Sequence, residues 1–161
     1  MPIRLTEPQK FGVRFFAILA GFSILAWLIV LPTQLDRVQR AIAVAAGAVA
    51  RVTGGSSYVR GDHIQVPQLA IHINFECTGV YVLIILVTFL MAYPATWSRR
   101  VLGAVIGIAA LTVVNIVRLA FLVRIAELQP DLFEYFHEYV WQGLLLILVI
   151  AYAMAWVERA P

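Results

Sequence analysis

VLGAVIGIAALTVVNIVRLAFLV, residues 101–123, is a continuous, mostly apolar run of 23 residues. It carries one charge, Arg118, in an otherwise uncharged run. A helix needs about 20 mostly apolar residues to cross a hydrocarbon core of about 30 Å, and this run meets that length. Three other runs read the same way: 15–31, 79–95 and 139–157. The composition agrees. Of 161 residues, 62% are apolar and 13% are charged, with a mean hydropathy of +0.89. Soluble domains sit near 45–50% apolar and about 25% charged. An ordinary soluble globule is excluded, and so is a disordered chain, which needs high charge and few apolar residues. The four runs use most of the apolar residues and leave no sizeable soluble core. The expectation is one all-α polytopic membrane domain over residues 1–161, with the lipid bilayer as its surroundings.

The first run is read as retained rather than cleaved. Its exit, Leu31-Pro32-Thr33-Gln34, lacks the small-x-small pattern of a signal-peptide site. Residues 41–50 form a shorter apolar run between Arg40 and Arg51, too short to cross. It is expected to lie in the interface or pack on the other helices. It is also the weakest point of the topology, because a crossing there would invert everything after it.

Residues 33–76 are read as an outer segment. A helix is expected over 36–53, broken by Gly54-Gly55-Ser56-Ser57. The pattern then changes to period two. Leu69, Ile71, Ile73 and Phe75 alternate with Ala70, His72, Asn74 and Glu76. Ile64 and Val66 repeat this briefly after a turn at Gly61-Asp62. A small hairpin or meander therefore caps the bundle and delivers the chain to Cys77.

Basic residues in short loops set orientation. Arg4, Lys10 and Arg14 precede the first run, Arg99 and Arg100 lie between the second and third, and Arg159 follows the fourth. With four spans these fall on one side, so both termini are placed in the cytoplasm. Arg37, Arg40, Arg51 and Arg60 in the outer segment argue the other way, but long loops count for less. The pI of 9.4 then reflects anchoring charge. No basic stripe tracks a phosphate backbone, so no nucleic-acid partner is expected.

Three residues meet at the outer level of this arrangement. Cys77, the one cysteine, begins the second span. A disulfide within the chain is impossible, and a helix N-terminus favours a thiolate. Standing alone, a free cysteine is more often a small packing residue. Arg118 lies seventeen positions past Val101, about 25 Å along the helix at about 1.5 Å per residue. An arginine inside a span costs at least about 2.5–3.5 kcal/mol on insertion scales and usually has a functional partner. Snorkelling to the interface is the plainer account, and it suits Arg124 better. Asn115 shares the face of Arg118. His137 opens the fourth span, with Glu134 placed to orient its ring, in an aromatic belt of Tyr135, Phe136, Tyr139 and Trp141. A nucleophile, an acid/base and a fixed cation are what acyl transfer from an amide needs. His72 falls on the wet strand face and His63 beside a turn, so neither fits as well. No cofactor or metal is expected, since a His-Glu-x-x-His pairing and a cysteine-ligated site are both missing.

Glu-Cys-Thr-Gly at 76–79, Asn-Ile-Val-Arg at 115–118 and the histidine heading the last helix resemble the exosortase/archaeosortase family, most closely its compact exosortase H type. The likeness covers roughly residues 40–157. Each motif is short, and their order, spacing and depth together carry the resemblance. It implies a membrane cysteine protease or transpeptidase with Cys77 as nucleophile, Arg118 as basic partner and His137 as acid/base. Asn115, Thr78 and Glu76 come with the motifs in supporting roles. The implied substrates are exported proteins ending in a short motif, a transmembrane helix and a basic cluster. Cleavage would fall at the outer face of the plasma membrane, through a thioester resolved by water, an amine or a lipid-linked acceptor. The competing reading is a non-catalytic membrane scaffold in which Arg118 merely pairs with Asn115 or a carboxylate.

Overall fold

The computed structural model describes residues 6–30 and 34–159. Arg4 and the exit Leu31-Pro32-Thr33 lie outside the described residues. Helix α1 spans Glu7–Leu25 and continues as a wider turn over Ala26–Val30. Its start follows from Thr6-Glu7-Pro8-Gln9: the Thr6 N–H donates to Gln9 Oε1 at 2.8 Å, and Pro8 sits in the first turn, where a missing N–H costs nothing. Helix α2 spans Leu35–Val52. Strands β1 (Tyr58–Arg60), β2 (His63–Gln65) and β3 (Ala70–His72) follow. A single 3₁₀ turn, Glu76–Thr78, leads into α3, Val80–Ala92. Helix α4 spans Trp97–Leu128. Helical turns from Pro130 to Val140 run on into α5, Trp141–Glu158.

Among the described residues, three helical stretches are long and apolar enough to cross a membrane: Glu7–Leu28, Trp97–Leu128 and Pro130–Glu158. They correspond to the first, third and fourth expected spans. The second expected span, 79–95, is shorter, an apolar helix of 13 residues. Both ends have a local cause. Gly79 takes a left-handed φ of 73°, which only glycine adopts freely. At the other end, Pro94 disfavours helical backbone at the residue before it, and Tyr93 is extended at ψ 139°. At about 1.5 Å per residue α3 is about 20 Å long.

The four apolar helices alternate in direction. Phe11 near the start of α1 packs on Phe89 near the end of α3, ring centroids 5.8 Å apart. Tyr93, past the end of α3, meets Trp156 near the end of α5 at 5.6 Å. Tyr152 donates to the Gly103 carbonyl of α4 at 2.6 Å. Lys10, Arg14, Arg99, Arg100 and Arg159 therefore gather at one end of the bundle, and Arg99 donates to the Arg159 carbonyl at 3.0 Å. Gly103 and Gly107, four residues apart, let the helices close up. A Cβ on Gly107 would lie 2.6 Å from Leu86 and 2.9 Å from Tyr152, and one on Gly103 would overlap Trp156. Small residues at such contacts are how membrane helices approach. The outward faces carry Phe16, Trp27, Leu102, Val105, Val113, Leu146, Ile147 and Met154, all exposed, as lipid requires and water does not tolerate in such quantity.

The opposite end of the bundle carries a cap. At about 48 Å, the 32-residue α4 outruns a core of about 30 Å. Helix α2 packs along its C-terminal half. Gln39, Ile42, Ala43, Ala46, Gly47 and Ala50 form one buried stripe at helical spacing. They meet Leu119, Leu122, Val123 and Ala126 of α4. The doubtful run 41–50 is thus a packing helix of the cap. The sheet is an antiparallel meander in the order β1-β2-β3, turned by Gly61 at φ 67°. Ile64 and Ile71 pair across it and, with Ile73, bury against α2 and α4. The expected alternation holds as far as Ile73 and then gives way to the turn holding Cys77. Glu127 ties the cap down: its Oε1 accepts the Ser56 N–H at 2.9 Å, and its other oxygen pairs with Arg124. Arg124 is therefore engaged with the cap.

Candidate active site

Cys77 sits in the tight turn between sheet and α3. Asn74 shapes that turn, taking the Cys77 N–H on its side-chain oxygen at 3.0 Å and on its carbonyl at 3.2 Å. Thr78 is buried and donates to the Phe75 carbonyl at 2.6 Å, so its role is to close the same turn. Gly79 is required twice over. Its φ is left-handed, and a Cβ there would lie 3.3 Å from Asn115. We expect Gly79→Ala to cost about 1–2 kcal/mol of backbone strain and to push Asn115 off its partners. A melting curve of the purified protein beside a processing assay would show both losses, and unchanged values would contradict this account.

Asn115 and Arg118 face this turn from α4, three residues apart and both buried. Asn115 Nδ2 donates to the Cys77 carbonyl at 2.9 Å, and Arg118 donates through Nη1 to Asn115 Oδ1 at 3.2 Å. The amide orientation is forced, because guanidinium only donates and a carbonyl only accepts. A chain of two bonds thus joins Arg118 to the backbone of the cysteine. Arg118 is 3% exposed, yet among the described residues no carboxylate lies within ion-pair distance of it. Its Nε is buried without a hydrogen-bond partner.

His137 comes from the helical turns before α5. Its Nε2 lies 3.4 Å from Cys77 Sγ. The ring is held by Phe133, stacked on it at 5.6 Å and 9°. Among the described residues no hydrogen bond joins Glu134 to the ring, whose one hydrogen-bond contact is Cys77. Cys77, Arg118 and His137 are thus brought together from three elements. Glu76, exposed, joins His137 and Arg118 in lining a cavity of about 390 Å³ whose walls include Tyr81, Val82, Ile85 and Gln142. Asn74, Phe133 and Gln142 were not singled out from sequence. Only Asn74 carried a local signal, an Asx-type turn three residues before the cysteine.

Burial pushes the Cys77 thiol up from its ordinary value, and the nearby Arg118 charge only partly offsets this. The helix N-terminus alone would have lowered it. Burial thus favours the neutral thiol, and the His137 ring nitrogen stands 3.4 Å from it. The alkylation rate of Cys77 in the purified protein is expected to be still rising at pH 9, where a free thiol has passed its midpoint. Arg118→Gln moves the profile to higher pH. A midpoint at or below 8.5 would contradict this.

His72 and His63 both bond to Asp62, at 3.1 and 2.8 Å; His72 also lines a small cavity of about 120 Å³ with Cys77 and His137.

The chain matches no curated protein and no solved structure. A family model described as transmembrane exosortase matches residues 8–159, which takes in all five main helices, the sheet and every residue of the site. On that match, the protein belongs to the transmembrane exosortase family.

Proposed function

We propose that the protein is an integral-membrane cysteine peptidase or transpeptidase. Its substrates are exported proteins ending in a motif, a transmembrane helix and a basic cluster. It works at the outer face of the plasma membrane, with the basic end of the bundle in the cytoplasm. The observation that carries this reading is the 3.4 Å contact between Cys77 Sγ and His137 Nε2, beside a cavity that His137 and Arg118 both line.

The substrate helix docks from the bilayer into the groove between α3 and α5. Two cavities share Ile85 and Val149 as walls. The upper one, about 390 Å³, reaches Arg118 and His137. The lower one, about 480 Å³, is apolar down to Glu158, a carboxylate placed to meet the basic cluster. The shortness of α3 sinks Cys77 to where the scissile bond leaves the hydrocarbon.

His137 takes the thiol proton as Sγ attacks the scissile carbonyl. The developing oxyanion is met by the Arg118 guanidinium. Collapse of the tetrahedral intermediate breaks the C–N bond, and His137 returns the proton to the leaving amine. The substrate's N-terminal part is then a thioester on Cys77. His137 deprotonates water, an amine or a lipid-linked acceptor, which displaces the thiolate. Asn115 keeps the Cys77 carbonyl fixed throughout.

A scaffold accounts for the Arg118–Asn115 bond equally well but gives no reason for the thiol–imidazole contact. In a host lacking other family members, a reporter bearing the three-part tail is expected to be shortened only when the protein is co-expressed. A tail left intact would overturn the reading. For orientation, Arg60→Cys in a Cys77→Ala background puts a thiol on the exposed cap. A membrane-impermeant maleimide is expected to label it in intact cells, and labelling only after lysis would invert the topology.

A further inference from the structure

A second cluster of chemically capable side chains lies on the cap sheet. The β2–β3 register sets His63 directly opposite His72, and their rings stack at 4.7 Å with 19° between planes. Asp62, in the turn between β1 and β2, lies beside both. Its Oδ1 is 2.8 Å from His63 Nδ1, and its Oδ2 is 3.1 Å from His72 Nε2. One donor atom from each residue falls within 4.8 Å of the others.

We propose that Asp62, His63 and His72 form a binding site for a divalent transition-metal ion, with Zn²⁺ the best fit. Two imidazoles and one carboxylate are a donor set such ions favour, leaving a fourth position for water. Zinc bonds of about 2.0–2.2 Å put neighbouring donors roughly 3.3–3.5 Å apart in a tetrahedral site. With one carboxylate oxygen as ligand, the three donor atoms, within 4.8 Å of one another, must adjust to that spacing as the ion replaces the shared protons. The scaffold is firm where it matters. The histidines occupy paired strand positions, and the Asp62 carbonyl accepts the Ile73 N–H at 2.9 Å, locking the turn to the end of β3. The three side chains are 34–52% exposed, so an aqueous ion reaches them without an opening. Arg60 pairs with His63 on the other side, a nearby positive charge that weakens but does not block the site.

The ion would clip the β1–β2 turn to β3. From β3 the chain runs through Ile73 and Asn74 to Cys77, so the clip steadies the strand that presents the candidate nucleophile. The inference rests on the cap alone and stands whether or not the peptidase reading does.

The test uses the full chain in detergent, carried on a tag without histidines, stripped with a chelator and titrated with Zn²⁺ alone. After gel filtration, elemental analysis is expected to find one zinc per chain, and the melting temperature rises with zinc. The His63→Ala, His72→Ala double variant is expected to bind more than about 100-fold more weakly, beyond the loss typical of removing an outer-shell partner. A readout on the unaltered protein guards against a misfolded variant. Zinc should protect His63 and His72 together from diethyl pyrocarbonate, read by peptide mass. Wild-type protein without equimolar zinc, a double variant that keeps it, or histidines left equally reactive would each overturn the proposal.

Discussion

Replacing Cys77 with alanine is expected to leave a tail-bearing substrate full-length in the membrane. The whole rate enhancement beyond binding is lost, because no other thiol exists in the chain and the nucleophile of the proposed acyl transfer goes with it. The fold should survive. Cys77 is buried among Ile73, Leu119 and Val123, but losing one sulfur removes a single heavy atom, a small cavity change. Cys77→Ser tests the chemistry further. A hydroxyl at the same place keeps the shape and is a far weaker nucleophile beside a neutral imidazole. We expect it to accumulate uncleaved substrate as well. The check is an immunoblot of the substrate's two forms, with a melting curve for each variant. Normal processing by Cys77→Ala would end the nucleophile assignment and favour the scaffold.

The second large effect is at Arg118. Removing one oxyanion donor from a preorganised site costs about 10²–10³ in rate, and Arg118→Gln is expected to fall in that range with substrate binding little changed. Stability should not fall with it, since the substitution removes a desolvated cation that has no carboxylate partner among the described residues. Arg118→Lys keeps the charge but not the planar fork that reaches Asn115, and is expected to recover only part of the loss. Asn115→Ala should behave differently. It frees the Cys77 carbonyl, so melting temperature and rate fall together. Rates measured on initial substrate disappearance separate the two patterns. An Arg118→Gln variant that folds and processes at the wild-type rate would remove the arginine from the chemistry.

The fold was legible where physics is local. Apolar length marked the helices, and the period-two run from Leu69 to Ile73 marked the sheet. The 41–50 run was ambiguous because alanine suits lipid and a tight helix contact equally. Its packing depends on α4 overrunning the bilayer, which no local pattern in 41–50 reveals. The second span was overestimated because apolarity continues through Tyr93 and Pro94, while backbone geometry ends the helix earlier. Depth and motif spacing singled out Cys77, Arg118 and His137 as candidates, but not what holds them. Phe133, four residues before His137, reads as one more belt aromatic until its ring is seen stacked on the imidazole. A helix end that favours the thiolate is visible in sequence, and the burial that pushes the thiol up is not. His72 is separated from Asp62 and His63 by a strand and a turn, so their meeting needed the β2–β3 register.

The central claim is a thioester on Cys77, and the most direct measurement is the mass of the substrate's released N-terminal fragment when cleavage runs in the presence of hydroxylamine. A thioester is intercepted by that nucleophile. A hydroxamate is expected at the new C-terminus, rising with hydroxylamine concentration at the expense of the free acid or native adduct. A fragment ending only in a carboxylate at every concentration, its new oxygen drawn from solvent, would contradict it.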